Sequence, residues 1–221
     1  MNAMLLLLAD SRLPAGGHAH SGGTEQAVAS GAVHDVASLA AFLRGRLATA
    51  GLVAAGLAAA AVTASGAGWA ELDAEADART ASPAQREAAR TQGRLLLRVA
   101  RRIWPAPALD ELAAAVPSPH HPVVLGAVAA ATGCSPRDAA LAAAYNAVTG
   151  PATAAVRLLG LDPVEVHRLL AGLAPALEDT AATAASACAA GESARLPAHA
   201  APALDLLAEQ HIRTEVRLFI S

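Results

Sequence analysis

Between residues 83 and 103 the chain carries two sets of positions. Arg86, Arg90, Arg94 and Arg98 recur every four residues, and Arg101 and Arg102 continue the series. Ala89, Leu96, Val99, Ala100 and Ile103 fall on the opposite side. This spacing predicts a helix with one basic face and one face suited to a core. Its start is marked as well. Ser82-Pro83-Ala84-Gln85 offers a capping hydroxyl, a proline at the first helical position and a polar residue at the third. The same arrangement recurs at Ser135-Pro136-Arg137-Asp138 and at Asp162-Pro163-Val164-Glu165, so helices are predicted to begin near 83, 136 and 163. Ser21 is read as the cap of a helix that stops at Gly31, and Asp35 as the opening of a long one through Phe42, Leu43 and Leu47. Breaks are predicted at Trp104-Pro105-Ala106-Pro107, Pro117-Ser118-Pro119, Gly150-Pro151 and near Arg195-Leu196-Pro197. Pro175 is expected to kink or divide the last long apolar pattern.

The stretch from Leu47 to Ala70 holds no charge and is long enough to cross a bilayer. Alanine, glycine, serine and threonine fill much of it, and these gain little by insertion, so a buried central helix is expected instead. MNAMLLLLAD has an apolar run but no basic n-region, and Asp10 cuts it short, which argues against a targeting segment. The connections are short, which predicts one domain over residues 1–221, with an N-terminal arm at 1–20 and a C-terminal tail at 204–221.

Composition sharpens the fold class. The chain is 54% hydrophobic but only 2% aromatic, and alanine dominates. Alanine favours helix, while β-branched and aromatic residues are too scarce for a large sheet. The expectation is an all-α, compact helical bundle built on alanine and leucine contacts. Net charge is −3, which argues against a general nucleic-acid binder. No lysine occurs among the 16 basic residues, which removes any lysine Schiff base, P-loop lysine or lysine general base. Cys134 and Cys188 form no CxxC pair; they suit a reducing compartment and are read as small buried hydrophobes.

Candidate chemistry is sparse. LPAGGHAHSGGTE, residues 13–25, sets His18 and His20 among glycines. Both imidazoles fall on one side only if the segment is extended, and no Asp, Glu or Cys follows at close ligand spacing. His120 and His121 point about 100° apart on a helix and are expected in loop or cap roles. His34, His167 and His199 stand alone. The arginine stripe is either a solvated face partly paired with Asp73, Glu75 and Asp77 or a partner-binding face. No nucleophile elbow, HExxH or GxGxxG beside a strand is present, so an enzyme is not expected.

The two ends nevertheless resemble a known family. LLLLADSRLPAGGHAHSGGTEQAVASGAV resembles the opening of the urease accessory protein UreF family through Leu13, Pro14, Gly16, Ser21, Gly23 and Glu25. APALDLLAEQHIRTEVRLFIS resembles its close through Pro202, Leu204, Asp205, His211, Arg217, Leu218, Phe219 and Ser221. REAARTQGRLLLRV, HPVVLGAVAAATG and AAVRLLGLDPVEVHRLLAGLAPALE lie between them in the family's order and spacing. Two positions depart from it: His18-Ala19-His20 stand where aromatics are common, and Ile220 where arginine often precedes the last serine.

The resemblance implies a non-enzymatic all-α scaffold, a cytoplasmic homodimer that assists nickel insertion into apo-urease. Its implied partners are a UreD/UreH-like accessory protein and a UreG-like GTPase. The expected contacts are Phe219 and Leu218 as apolar anchors and Arg217 as a charged one, with Glu25, His211, Arg86, Arg90 and Arg94 in the partner-binding set. No cofactor, nucleic acid or membrane is expected. The rival reading is a direct nickel carrier using His18 and His20 with His211 or His34.

Overall fold

A computed structural model describes residues 3–189, 195–215 and 217–221, apart from the side chain of His18. Every regular element among the described residues is helical. The first is α1 (Ala3–Ala9), followed by α2 (Thr24–Ala29), α3 (Val36–Arg46), α4 (Leu52–Ala61) and α5 (Gly68–Ala78). The middle of the chain forms α6 (Pro83–Ile103), α7 (Pro107–Ala115), α8 (His121–Ala131) and α9 (Pro136–Leu159). The last are α10 (Pro163–Gly172), α11 (Ala174–Ala189) and α12 (Pro202–His211).

The capping signals act as the spacing predicts. Ser82 Oγ accepts from the Gln85 amide, Ser135 and Asp138 cap each other, and Asp162 accepts from the Val164 amide, so α6, α9 and α10 begin at their prolines. Asp35 forms a capping box with Ser38 and opens α3, which one wider turn at Leu47–Gly51 carries into α4. Pro175 divides the last apolar pattern into α10 and α11.

Two boundaries differ from the sequence reading. α2 starts at Thr24 rather than beside Ser21, because Gly22 and Gly23 take positive φ and turn the chain first. Gly150-Pro151 does not break a helix. α9 runs through it, because the carbonyl that proline leaves without an N–H, that of Ala147, accepts a hydrogen bond from Arg46 Nε at 2.8 Å.

The charge-free stretch as far as Ala61 becomes the centre of the bundle, whereas residues 62–67, expected in the same buried helix, form a largely exposed turn before α5. Ala55, Leu57, Ala58, Ala59 and Ala61 of α4 are fully enclosed among α8, α9 and α11. By length and composition alone, Val36–Ala61 could span a bilayer, yet its α4 half is packed inside protein. Close approach is what the small residues permit. A Cβ on Gly126 would collide with the Ala58 carbonyl, so α4 and α8 touch backbone to backbone there. Alanine, leucine and valine fill the main core cluster, in which Trp69 is the buried aromatic among the described residues. Cys134 and Cys188 are free thiols, and burial pushes both upward from the ordinary thiol value.

Both ends fold back onto this bundle. Residues 3–9, read as part of an arm, form α1, which packs on α8 and α9. α12 lies across the start of α6, where Asp205 Oδ1 accepts from the Ser82 amide at 3.2 Å. Glu209 Oε1 accepts from Ser82 Oγ at 2.6 Å and from the Ala84 amide at 3.0 Å. Two carboxylates thus sit at a helix N-terminus, where the macrodipole favours negative charge. The Ser82 hydroxyl and the Ala84 amide hold Glu209 below the ordinary glutamate value.

Candidate functional site

The arm and the tail meet, 200 residues apart in sequence, and hold each other. The Ile220 amide donates to the Ala19 carbonyl at 2.7 Å, and the Ser21 amide to the Ser221 carbonyl at 2.5 Å. At the centre is Glu25, on the first turn of α2. One carboxylate oxygen accepts from the Leu218 amide at 2.6 Å and the other from the Phe219 amide at 3.1 Å. His211, at the end of α12, is buried; its Nε2–H donates to the Phe219 carbonyl at 3.2 Å, and its Nδ1 stands 3.8 Å from Glu25. The Phe219 ring turns inward to 5% exposure beneath the Arg157 guanidinium, 5.0 Å from its centroid. Glu25, His211 and Phe219 are therefore the internal fastening of one clasp.

Fastening the tail in this way turns its other side chains outward. Leu218 is 71% exposed and Ile220 61%, and Arg217 is exposed beside them. Leu206 and Ile212 of the adjoining α12 are also exposed. The end of the chain thus exposes several apolar side chains, with Arg213 and Arg217 exposed among them.

Arg46 ties the clasp to the bundle. Besides supporting Ala147, its Nη1 donates to the Gly22 carbonyl at 2.8 Å. Desolvation lowers its pKa to about 10. Gly22 suits this point, since its φ is +61° and a Cβ would crowd both the Arg46 guanidinium and the Pro151 ring. Nothing in local sequence distinguishes Arg46 from the other arginines.

The arginine stripe separates into different roles. Arg90 turns inward, bonding Asp73 at 3.0 Å, Asp77 at 2.6 Å and the Ser118 carbonyl. His120 joins this cluster, its amide donating to Asp73 at 2.8 Å and its Nε2 lying 2.8 Å from Asp77. Burial alone would raise Asp77, but the bonds from His120 and Arg90 bring it below the ordinary aspartate value. Among the described residues, Asp73, Asp77 and His120 form the one group of three potential metal ligands. The Arg90 guanidinium occupies Oδ2 of both carboxylates while His120 engages Oδ1 of each, which makes this an ion-pair network. Asp73 and Asp77 lie four apart in sequence, a spacing that could have flagged them. Glu75 pairs instead with Arg79.

Arg94 bonds Ser118 Oγ at 2.6 Å and Glu87 at 3.3 Å, and Arg101 pairs with Asp110. Arg86 is half-buried near Glu209. Arg98 and Arg102 are exposed and carry no acidic partner among the described residues. Ile103, assigned by spacing to the core face, is instead 47% exposed at the last position of α6.

Of the histidines proposed as ligands, the His18 side chain lies outside the described residues. His20 is buried with Nδ1 2.6 Å from Ser221 Oγ. His34 is exposed and bonded to the Gly31 carbonyl at 3.1 Å. The fold does not bring His20, His34 and His211 into one cluster of ligands.

A helical bundle whose best-built polar features among the described residues are a terminal clasp and an ion-pair network defines the all-α class of protein. The chain belongs to the UreF family, whose profile matches residues 33–174. It is 50% identical over 222 residues to the urease accessory protein UreF of Mycolicibacterium vanbaalenii, covering 99% of this chain and 98% of that one. It is 51% identical over 217 residues to UreF of Mycobacterium sp. strain JLS, covering 98% and 97%. To UreF of Mycobacterium tuberculosis H37Rv it is 45% identical over 219 residues, covering 99% and 98%.

Proposed function

We propose that this chain is a non-catalytic scaffold of urease maturation. It bridges a UreD/UreH-like accessory protein and a UreG-like GTPase on apo-urease and so assists nickel insertion, acting in the cytoplasm as a homodimer. The observation that supports this most directly is the clasp. Exposed Leu218 and Ile220 on a tail anchored from beneath form a preorganised apolar patch, and preorganisation lowers the ordering cost of association.

That patch, with Arg217 among its residues, is the surface for the UreD-like partner. Phe219, Glu25 and His211 contribute by holding it in place. Because Arg90 is used internally, any electrostatic contact of the stripe falls to Arg98 and Arg102, with Arg94 contributing from its flank.

Co-expression with the UreD-like and UreG-like proteins of the same source, followed by gel filtration with light scattering, tests the reading. The expected result is a stable complex containing two copies of this chain. A Leu218→Asp/Ile220→Asp variant, which leaves the clasp bonds intact, is expected to lose the UreD-like protein. Failure of three soluble, folded wild-type proteins to associate overturns the proposal.

A further inference from the structure

Helix α6 carries more positive charge toward its end than its own surroundings neutralise. A cleft of about 550 Å³ opens there, and Arg94, Arg98, Arg101 and Arg102 all line it. One carboxylate lies among them, that of Asp110 on α7, which accepts from Arg101 Nε at 2.7 Å. Arg94 is held in position by Thr91 Oγ1 at 2.8 Å and Ser118 Oγ at 2.6 Å. Arg98 and Arg102 carry no acidic partner among the described residues. Like charges four apart on a helix repel, so Arg94, Arg98 and Arg102 oppose one another. The α6 dipole favours cations in the last turn, which accounts for Arg101 and Arg102 but not for Arg94 or Arg98. Apolar side chains share the lining, and two of them, Leu97 and Pro119, are buried.

We propose that this cleft is a docking site for a short acidic segment of a partner protein, one that presents carboxylates around an apolar side chain. A guanidinium pairs with a carboxylate through two parallel hydrogen bonds, and Arg98 and Arg102 have no internal carboxylate to occupy them. Leu97 and Pro119 supply contact for the apolar side chain, which a bare anion lacks. Charge balance limits the occupant's length. Within about one Debye length, roughly 8 Å in physiological salt, the arginines dominate. Over the whole chain the charge is −3, which disfavours a polyanion long enough to cover more of the surface. Asp110 is an internal competitor, since its hold on Arg101 must be shared when a carboxylate arrives. The proposal names the chemistry of a partner for the arginine face, and it rests on the scaffold reading only in that such a partner exists.

The test uses the isolated full chain and the fluorescence anisotropy of a short labelled peptide of glutamates interrupted by one leucine. Binding is expected at low ionic strength and should weaken as sodium chloride is added. Replacing the leucine of the peptide by serine is expected to weaken it about threefold or more. Arg98→Glu/Arg102→Glu is expected to weaken it at least about tenfold, and Arg98→Gln/Arg102→Gln by less. Arg44→Glu/Arg168→Glu makes the same change in net charge at exposed positions elsewhere and is expected to bind as wild type does. Asp110→Asn releases Arg101 and is expected to tighten binding about twofold to fivefold. Thermal melting confirms that each variant is folded, and the glutamine pair serves if the glutamate pair is not. Absence of binding by wild type, equal loss in both charge-reversal pairs, or displacement of the peptide by inorganic phosphate or single-stranded RNA at matched ionic strength would overturn the proposal. A co-expression complex that forms while the peptide fails to bind overturns the cleft alone, and the reverse result overturns the scaffold reading alone.

Discussion

Arg46 supplies the hydrogen bond that Pro151 cannot. Its Nε donates to the Ala147 carbonyl, four residues before the proline, and its Nη1 reaches the Gly22 carbonyl in the arm. One side chain from α3 therefore keeps α9 continuous and fixes the loop that leads to Glu25. Arg46→Met is expected to leave two carbonyls unsatisfied and cost about 2–4 kcal/mol in urea unfolding. In a Pro151→Ala background the restored N–H satisfies Ala147, so the same change is expected to cost about 1 kcal/mol less. Equal costs in both backgrounds would deny the coupling.

Glu25 accepts from two consecutive tail amides, and hydrogen bonds to a charged group contribute about 1.5–3 kcal/mol each. Glu25→Ala is expected to raise the rate of tryptic cleavage after Arg217 by at least about tenfold, since cleavage follows local opening. Glu25→Gln should fall between the variant and wild type. Mass spectrometry of early digestion products measures this directly.

The stripe arginines are expected to differ sharply. Arg90→Met strands the buried Asp73 carboxylate and should cost about 3–5 kcal/mol. Arg98→Met, on an exposed side chain, should change stability by less than about 0.5 kcal/mol. Denaturant titration of the two variants side by side distinguishes them.

Acid stability should depend on His20 and His121. Burial, with nearby His20, brings His121 to a folded value of about 4 against an ordinary 6.5, and burial also lowers His20. The unfolded chain therefore binds more protons as pH falls below 6.5. Stability is fully present above that value and is lost progressively toward about 4, by on the order of 3 kcal/mol for His121. Asp77 and Glu209 act lower, as pH falls below their ordinary values of 3.8 and 4.5. Melting temperature against pH should decline between 6.5 and 4.5 in wild type and flatten in His121→Gln.

Much of the helical framework is legible in the chain because its signals are local. Ser82-Pro83, Ser135-Pro136 and Asp162-Pro163 each contain both capping oxygen and proline, so their helix starts need no distant contact. Gly150-Pro151 misleads for the complementary reason. The residue that rescues it lies 101 positions from the carbonyl it satisfies. Likewise, Glu25, His211 and Phe219 stand out at the two ends of the chain, but their inward roles depend on contact between those ends.

The sequence by itself determined an all-α class, the positions of most helix starts and the burial of the charge-free stretch as far as Ala61. Alanine content, capping and helical spacing act over a few residues, and each agrees with the others. The tertiary structure alone decided which arginine of the stripe turns inward and which tail residues face out. It also joined His20 to Ser221. Those outcomes depend on desolvation and on partners far along the chain, and side chains identical in sequence acquire different roles from the groups that surround them.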